Sequence, residues 1–106
     1  MKKLSDYTGD EGIIKSGEIS EPFFTILEDT KLMQQLVSDG EKISAKTIGK
    51  IMAKHKKEAL QMIQIVDDTP ITASNAFPRF FAVFTEVAND PYFVDFFTNA
   101  VAKTQP

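Results

Sequence analysis

Residues 44–70 read SAKTIGKIMAKHKKEALQMIQIVDDTP. Apolar side chains recur at Ile48, Ile51, Met52, Ala59, Met62, Ile63 and Val66. That spacing follows the period of about 3.6 residues that places side chains on one face of a helix. Ser44 is a good N-cap residue, and Ile43 and Ile48 stand where a hydrophobic staple would close over it. Thr47 occupies the place where a capping box would need glutamate or glutamine. Asp67-Asp68-Thr69-Pro70 ends the pattern with turn residues. The stretch predicts one long helix, with Lys46, Lys50, Lys54 and Lys57 running down another side of it.

Toward the N-terminus, Ile13, Ile14, Ile19, Phe23, Phe24, Ile26 and Leu27 also have helical spacing. Gly12 and Gly17 each cost about 1 kcal/mol in a helix relative to alanine. Pro22 lacks a backbone donor, so a helix kinked or restarted there is expected over residues 10–29. Phe23 and Phe24 diverge by roughly 100° on a helix, so one of them can be exposed. Asp29-Thr30 can cap a short helix through Leu32, Met33, Leu36 and Val37, ended by Gly40. Toward the C-terminus, Asn75 is a plausible cap for a helix carrying Phe77, Phe80, Phe81, Phe84, Val87 and Ala88. Asn89-Asp90-Pro91 stops that helix and starts another, with Phe93, Phe96, Phe97 and Ala100 on one side. No segment shows alternation of period two between hairpin turns. The expected fold is all-α: a small single-domain bundle of about five helices over residues 1–106, with 1–9 and 103–106 frayed at the ends.

The chain has 106 residues and no cysteine, which excludes a disulfide framework and thiolate chemistry. No stretch approaches the ~20 apolar residues that span a bilayer, and no apolar segment follows Met1-Lys2-Lys3 as a signal peptide would require. A soluble cytoplasmic protein is expected. The net charge of −3 is uneven. Residues 31–57 hold seven lysines against Asp39 and Glu41, between two acidic flanks. Such a band can steer a partner or simply face acidic neighbours in the same fold.

Catalytic side chains are scarce. His55 is the sole imidazole and falls on or beside the apolar stripe, where a packing role is expected. A general base needs an orienting group and a nearby nucleophile, and no local motif supplies either. Asp10-Glu11 and Asp67-Asp68 are adjacent pairs, and adjacent residues on a helix do not share a face. Gly9, Gly12 and Gly17 do not form a phosphate loop, because Lys15-Ser16 precedes the last glycine. No enzyme activity, metal or cofactor is expected. The lysine side of residues 46–57 lacks the arginine, glutamine and asparagine that read base edges, and nucleic-acid binding is not the favoured reading.

The aromatic block remains. Seven of nine phenylalanines lie between Phe77 and Phe97. Burial of one such ring is worth roughly 1.5–3 kcal/mol, so these rings are either core or a surface for another protein.

Four segments in order resemble the tail assembly chaperones of long-tailed bacteriophages and prophages of Gram-positive bacteria. They are MKKLSDYTGDEGI, EPFFTILED, the basic helix ending KHKKEALQMIQIVDDTPI, and NDPYFVDFF after a phenylalanine-rich helix. Lys15-Ser16-Gly17 departs from the more apolar stretch expected between the first two. The resemblance covers nearly the whole chain and implies a protein of the host cytoplasm, lost from the mature virion. Such a protein binds the helical tape measure protein and keeps it soluble while tail tube subunits polymerise. The implied partners are that client, the tail tube protein and further copies of the chain. Phe93, Phe96 and Phe97 are the expected contacts, with Phe24 and Met52 beside them, and Met33 and Met62 adding adaptable surface where exposed. The alternative is a small regulatory adaptor whose Lys46–Lys57 side binds nucleic acid or an acidic protein.

Overall fold

The computed structural model describes residues 2–38 and 44–90. Among them, five α-helices follow one 3₁₀ turn over Leu4–Asp6, and no strand occurs. The helices are α1 (Gly9–Leu27), α2 (Thr30–Ser38), α3 (Ala45–Lys54), α4 (Lys56–Val66) and α5 (Ala76–Asn89). The small all-α fold read from the sequence is the fold observed. Its partition differs in three places.

Helix α1 runs unbroken through Pro22. A proline inside a helix costs about 3 kcal/mol or more. Pro22 is itself buried, and Ile19, Phe23, Ile26 and Leu27 around it are also buried, each worth roughly 1.5–3 kcal/mol. That packing outweighs the local cost. The hydroxyls of Ser20 and Thr25 donate to the carbonyls of Gly17 and Glu21 on either side. Ile13 and Ile14, by contrast, are exposed at 74% and 57% and take no part in the core.

The predicted 44–66 helix is two helices. Its N-cap is as expected, since Ser44 Oγ accepts from the N–H groups of Lys46 and Thr47. At His55 the backbone leaves the helical region (φ −114°, ψ 56°), and α4 begins at the next residue. The break lets α3 pack against α2 while α4 packs against α1, and both also contact α5. Buried Ile48 and Ile51 of α3 and buried Ala59, Met62, Ile63 and Val66 of α4 join the same core.

Residues 2–7 are docked, where fraying was expected. The Leu4 and Ser5 N–H groups donate to the two oxygens of Glu86 at 2.9 and 3.0 Å. The Lys2 N–H reaches Asp67, and the Tyr7 hydroxyl donates to the Val66 carbonyl at 2.6 Å. The ammonium groups of Lys2 and Lys15 lie 5.3 and 5.1 Å from the Tyr7 ring centre. Two glycines make this strap possible. Gly9 has φ +59°, a left-handed turn into α1 that a side chain disfavours. A Cβ on Gly12 would stand 3.1 Å from the Tyr7 carbonyl oxygen. The tail at 103–106 lies outside the described residues.

Candidate functional site

Helix α5 is built from AFPRFFAVFTEVAN. Phe80, Val83, Phe84 and Val87 are buried, with Phe84 5.6 Å from Phe80 and 5.5 Å from Phe23 of α1 between ring centres. This inner side accounts for only part of the helix. Phe77 and Phe81 are half-buried and meet each other at 5.9 Å, while Pro78, Ala82 and Asn89 are exposed. The four phenylalanines of the helix therefore divide into two core rings and two at the core's edge.

Only two residues of α5 carry charge, and both commit it within the protein. Arg79 is 4% exposed, and its guanidinium donates to the carbonyls of Asp67, Thr69 and Pro70, with the shortest contacts at 2.6 and 2.7 Å. Glu86 accepts from the N-terminal strap. The Thr85 hydroxyl is folded back onto the Phe81 carbonyl at 2.7 Å. Apart from exposed Asn89, the outer side of α5 thus offers solvent little that is polar.

That side forms one wall of an open groove of about 830 Å³. Pro78, Phe81, Ala82 and Thr85 line it from α5, and Ile63 and Val66 line it from α4. Lys2, Lys3 and Ser5 of the strap form the opposite rim, and Asn89 and Asp90 stand at the end where the described chain stops. The volume is ordinary for a binding cleft, and the apolar lining with a charged rim suits an amphipathic segment better than a polar small molecule.

Asn75 precedes α5 but does not cap it. Its side chain turns back into the loop, accepting from the Thr72 N–H and donating to the Pro70 carbonyl. Asp67 begins the same loop. Its carboxylate accepts from the hydroxyl and the N–H of Thr69 and from the Lys2 N–H, which hold the group well below the usual carboxylate range. These bonds tie together the loop that joins α4 to α5.

The second polar cluster lies at the helix breaks. Asp29, between α1 and α2, caps α2 by accepting the Leu32 N–H on one oxygen. Its other oxygen meets Lys54 Nζ at 2.8 Å and His55 Nε2 at 2.7 Å. Burial acts to raise the Asp29 pKa, but the bonds from Lys54, His55 and the Leu32 N–H outweigh it and lower the value to about 2. His55 Nδ1 faces Glu58 at 3.5 Å. The sequence concealed the orienting carboxylate of His55, because Asp29 is 26 residues away. Both imidazole nitrogens face carboxylates. The cluster joins two helix junctions and is a structural clamp. Among the described residues, no group of His, Asp and Glu side chains is arranged to hold a metal ion.

Of the residues expected to contact a partner, Phe24 and Met52 lie among the described residues. Phe24 is half-buried against the core, its ring edge-on to Phe23 at 5.8 Å, and Met52 is likewise half-buried. Phe93, Phe96 and Phe97 lie outside the described residues. Met33 and Met62 are fully buried, so they supply core and not adaptable surface. The lysine row is divided: Lys46, Lys50 and Lys54 belong to α3, Lys57 to α4, and Lys54 is paired with Asp29. Sequence reasoning missed the groove, whose one legible signal was a surface helix with only two charges. No helix among the described residues is long and apolar enough to cross a membrane. No family model, curated protein or solved structure matches the chain.

Proposed function

We propose that the chain is a tail assembly chaperone that binds the tape measure protein of a long-tailed phage or prophage through the groove beside α5. One observation carries the proposal: a mostly apolar cleft, open to solvent, runs along a helix whose two charges are both committed internally. The resemblance of the four sequence segments supports the choice of client. The client's amphipathic helices would lay an apolar face against Phe81, Ala82 and Ile63, with acidic side chains toward Lys2 and Lys3. A very long client offers many such segments, so weak single contacts by many copies would keep it soluble. The work is done in the host cytoplasm, and the chaperone leaves before the virion is complete. The role requires no catalytic group, metal or cofactor.

Co-expression tests the reading. The tape measure protein should remain in the soluble fraction with this chain and precipitate without it. Equal solubility in both cases would remove the assignment.

The adaptor reading draws no support from a continuous basic helix face, because the break at His55 divides the lysines between two helices. Steeply salt-dependent DNA binding would be needed to restore it.

A further inference from the structure

We propose that the N-terminal strap is the charge selector of the α5 groove. Docked, it engages two carboxylates and presents two lysines, so the groove takes acidic amphipathic helices; undocked, it leaves the same groove selective for basic ones. The inference rests on the reading of the groove as a docking site and does not depend on which protein supplies the helix.

The charges along the groove come in equal numbers. Lys2, Lys3 and Arg79 line it, and so do Asp67, Glu86 and Asp90. Accessibility therefore decides which sign a ligand meets. Arg79 is 4% exposed, and its guanidinium donates to three loop carbonyls. Both oxygens of Glu86 are engaged, one by the Leu4 N–H at 2.9 Å and the other by the Ser5 N–H at 3.0 Å. Asp67 turns one oxygen to Thr69 and the other to the Lys2 N–H at 3.1 Å. Asp90 is also engaged. Lys2 and Lys3 are exposed. The Lys2 ammonium lies 5.3 Å from the Tyr7 ring centre, a contact that leaves its charge in place. An incoming ammonium must compete with strap amides for Glu86, whereas an incoming carboxylate meets two accessible ammonium groups.

The tether and the charged rim are chemically separate. Every bond from the strap to Glu86 and Asp67 comes from its main chain, so the lysine side chains are left for a ligand. The remaining hold is the Tyr7 hydroxyl on the Val66 carbonyl and half-buried Leu4 against the core. Release of the strap would carry both lysines away and bare the Glu86 carboxylate and one oxygen of Asp67 in the same cleft. One movement thus exchanges attraction for repulsion toward the same helix. The fraction of time the strap is docked scales the affinity for an acidic helix.

Two dye-labelled synthetic helical peptides test this by fluorescence anisotropy. Both carry leucines on one face; the other face is glutamate in one peptide and lysine in the second. The net charge of −3 favours the lysine peptide everywhere except at a locally basic site. The parent chain should nevertheless bind the glutamate peptide roughly tenfold tighter. Lys2→Gln/Lys3→Gln keeps the backbone bonds and should abolish that preference. Leu4→Pro/Tyr7→Phe removes one amide on Glu86 and the Tyr7 hydroxyl. Lys3 is already extended (φ −114°, ψ 158°), as a residue before proline must be. This variant should prefer the lysine peptide, and adding Glu86→Gln should cancel the reversal. A parent chain that prefers the lysine peptide would overturn the inference, and so would a preference unchanged by Lys2→Gln/Lys3→Gln. These two results suffice even where the proline variant fails to fold. A folded proline variant with the parent's preference, and rapid amide exchange at Ser5 showing the strap released, would also overturn it. If both peptides bind equally and Ala82→Glu abolishes both, the groove stands as a docking site and the strap's role alone is lost. If neither binds, the groove reading and the selector fall together.

Discussion

Asp29 does the most at the scale of a single residue. It caps α2, anchors Lys54 and receives the imidazole that marks the break between α3 and α4. Its side chain is 6% exposed, so truncation removes the acceptor of the Leu32 N–H and of the half-buried His55 ring. Asp29→Ala should lower unfolding free energy by about 2–3 kcal/mol in urea titrations, from a lost cap and lost charge-assisted bonds. The pH dependence has a definite sign. The folded carboxyl titrates near 2, below the ordinary 3.8, so its contribution is present above about pH 4 and disappears as pH falls toward 2. Allowing for solvent screening, that contribution is on the order of 1–2 kcal/mol. Acid unfolding of Asp29→Asn should lack this component between pH 4 and 2, whereas the parent chain should show it. Arg79 is the other buried charge. Arg79→Met should cost about 2–3 kcal/mol, because three loop carbonyls lose a charged donor.

Among the elements, the strap over residues 2–7 is held to the rest by a small set of polar bonds. Two backbone N–H groups on Glu86, one on Asp67 and the Tyr7 hydroxyl are its polar attachments. Glu86→Ala should release the Leu4 and Ser5 amides. Their hydrogen exchange should accelerate at least tenfold while amides in α4 and the inner side of α5 stay protected. Protection unchanged at Leu4 and Ser5 would show that the strap is held by packing alone. Gly9→Ala should act on the same element by another route. A left-handed φ costs an alanine roughly 1–2 kcal/mol, and the melting temperature should fall accordingly. Substituting Ile13 and Ile14 by lysine should change stability by no more than about 0.5 kcal/mol, since both side chains are already in water.

For the whole molecule, the consequence of these elements is a core closed on one side of α5 and a cleft left open on the other. Ala82 is exposed in that cleft, so Ala82→Glu should leave the fold intact while adding a charge where an apolar helix would lie. On the proposed function, the solubility of a co-expressed tape measure protein should then drop to the level seen without this chain. A variant that folds and still holds the client at full strength would place the docking surface elsewhere on the molecule.

Periodicity alone was enough to establish an all-α chain, the Ser44 cap and the end of the third pattern at Asp67, because these depend on residues within one or two turns of each other. Tertiary structure decided everything that required a partner distant in sequence. Pro22 stays inside α1 because buried neighbours offset a local cost. The regular stripe from Ile48 to Val66 is broken at His55, whose ring meets Asp29, and α3 and α4 pack against different helices. Met33 and Met62 are sealed in the core, whereas Ile13 and Ile14, which share the helical spacing of α1, are in water. The groove was the least legible feature. It arises where α4, α5 and the strap meet, and its apolar character depends on Arg79, Thr85 and Glu86 having satisfied their polar atoms elsewhere. A linear pattern records which residues are polar, but only the packed chain determines which of them still face water.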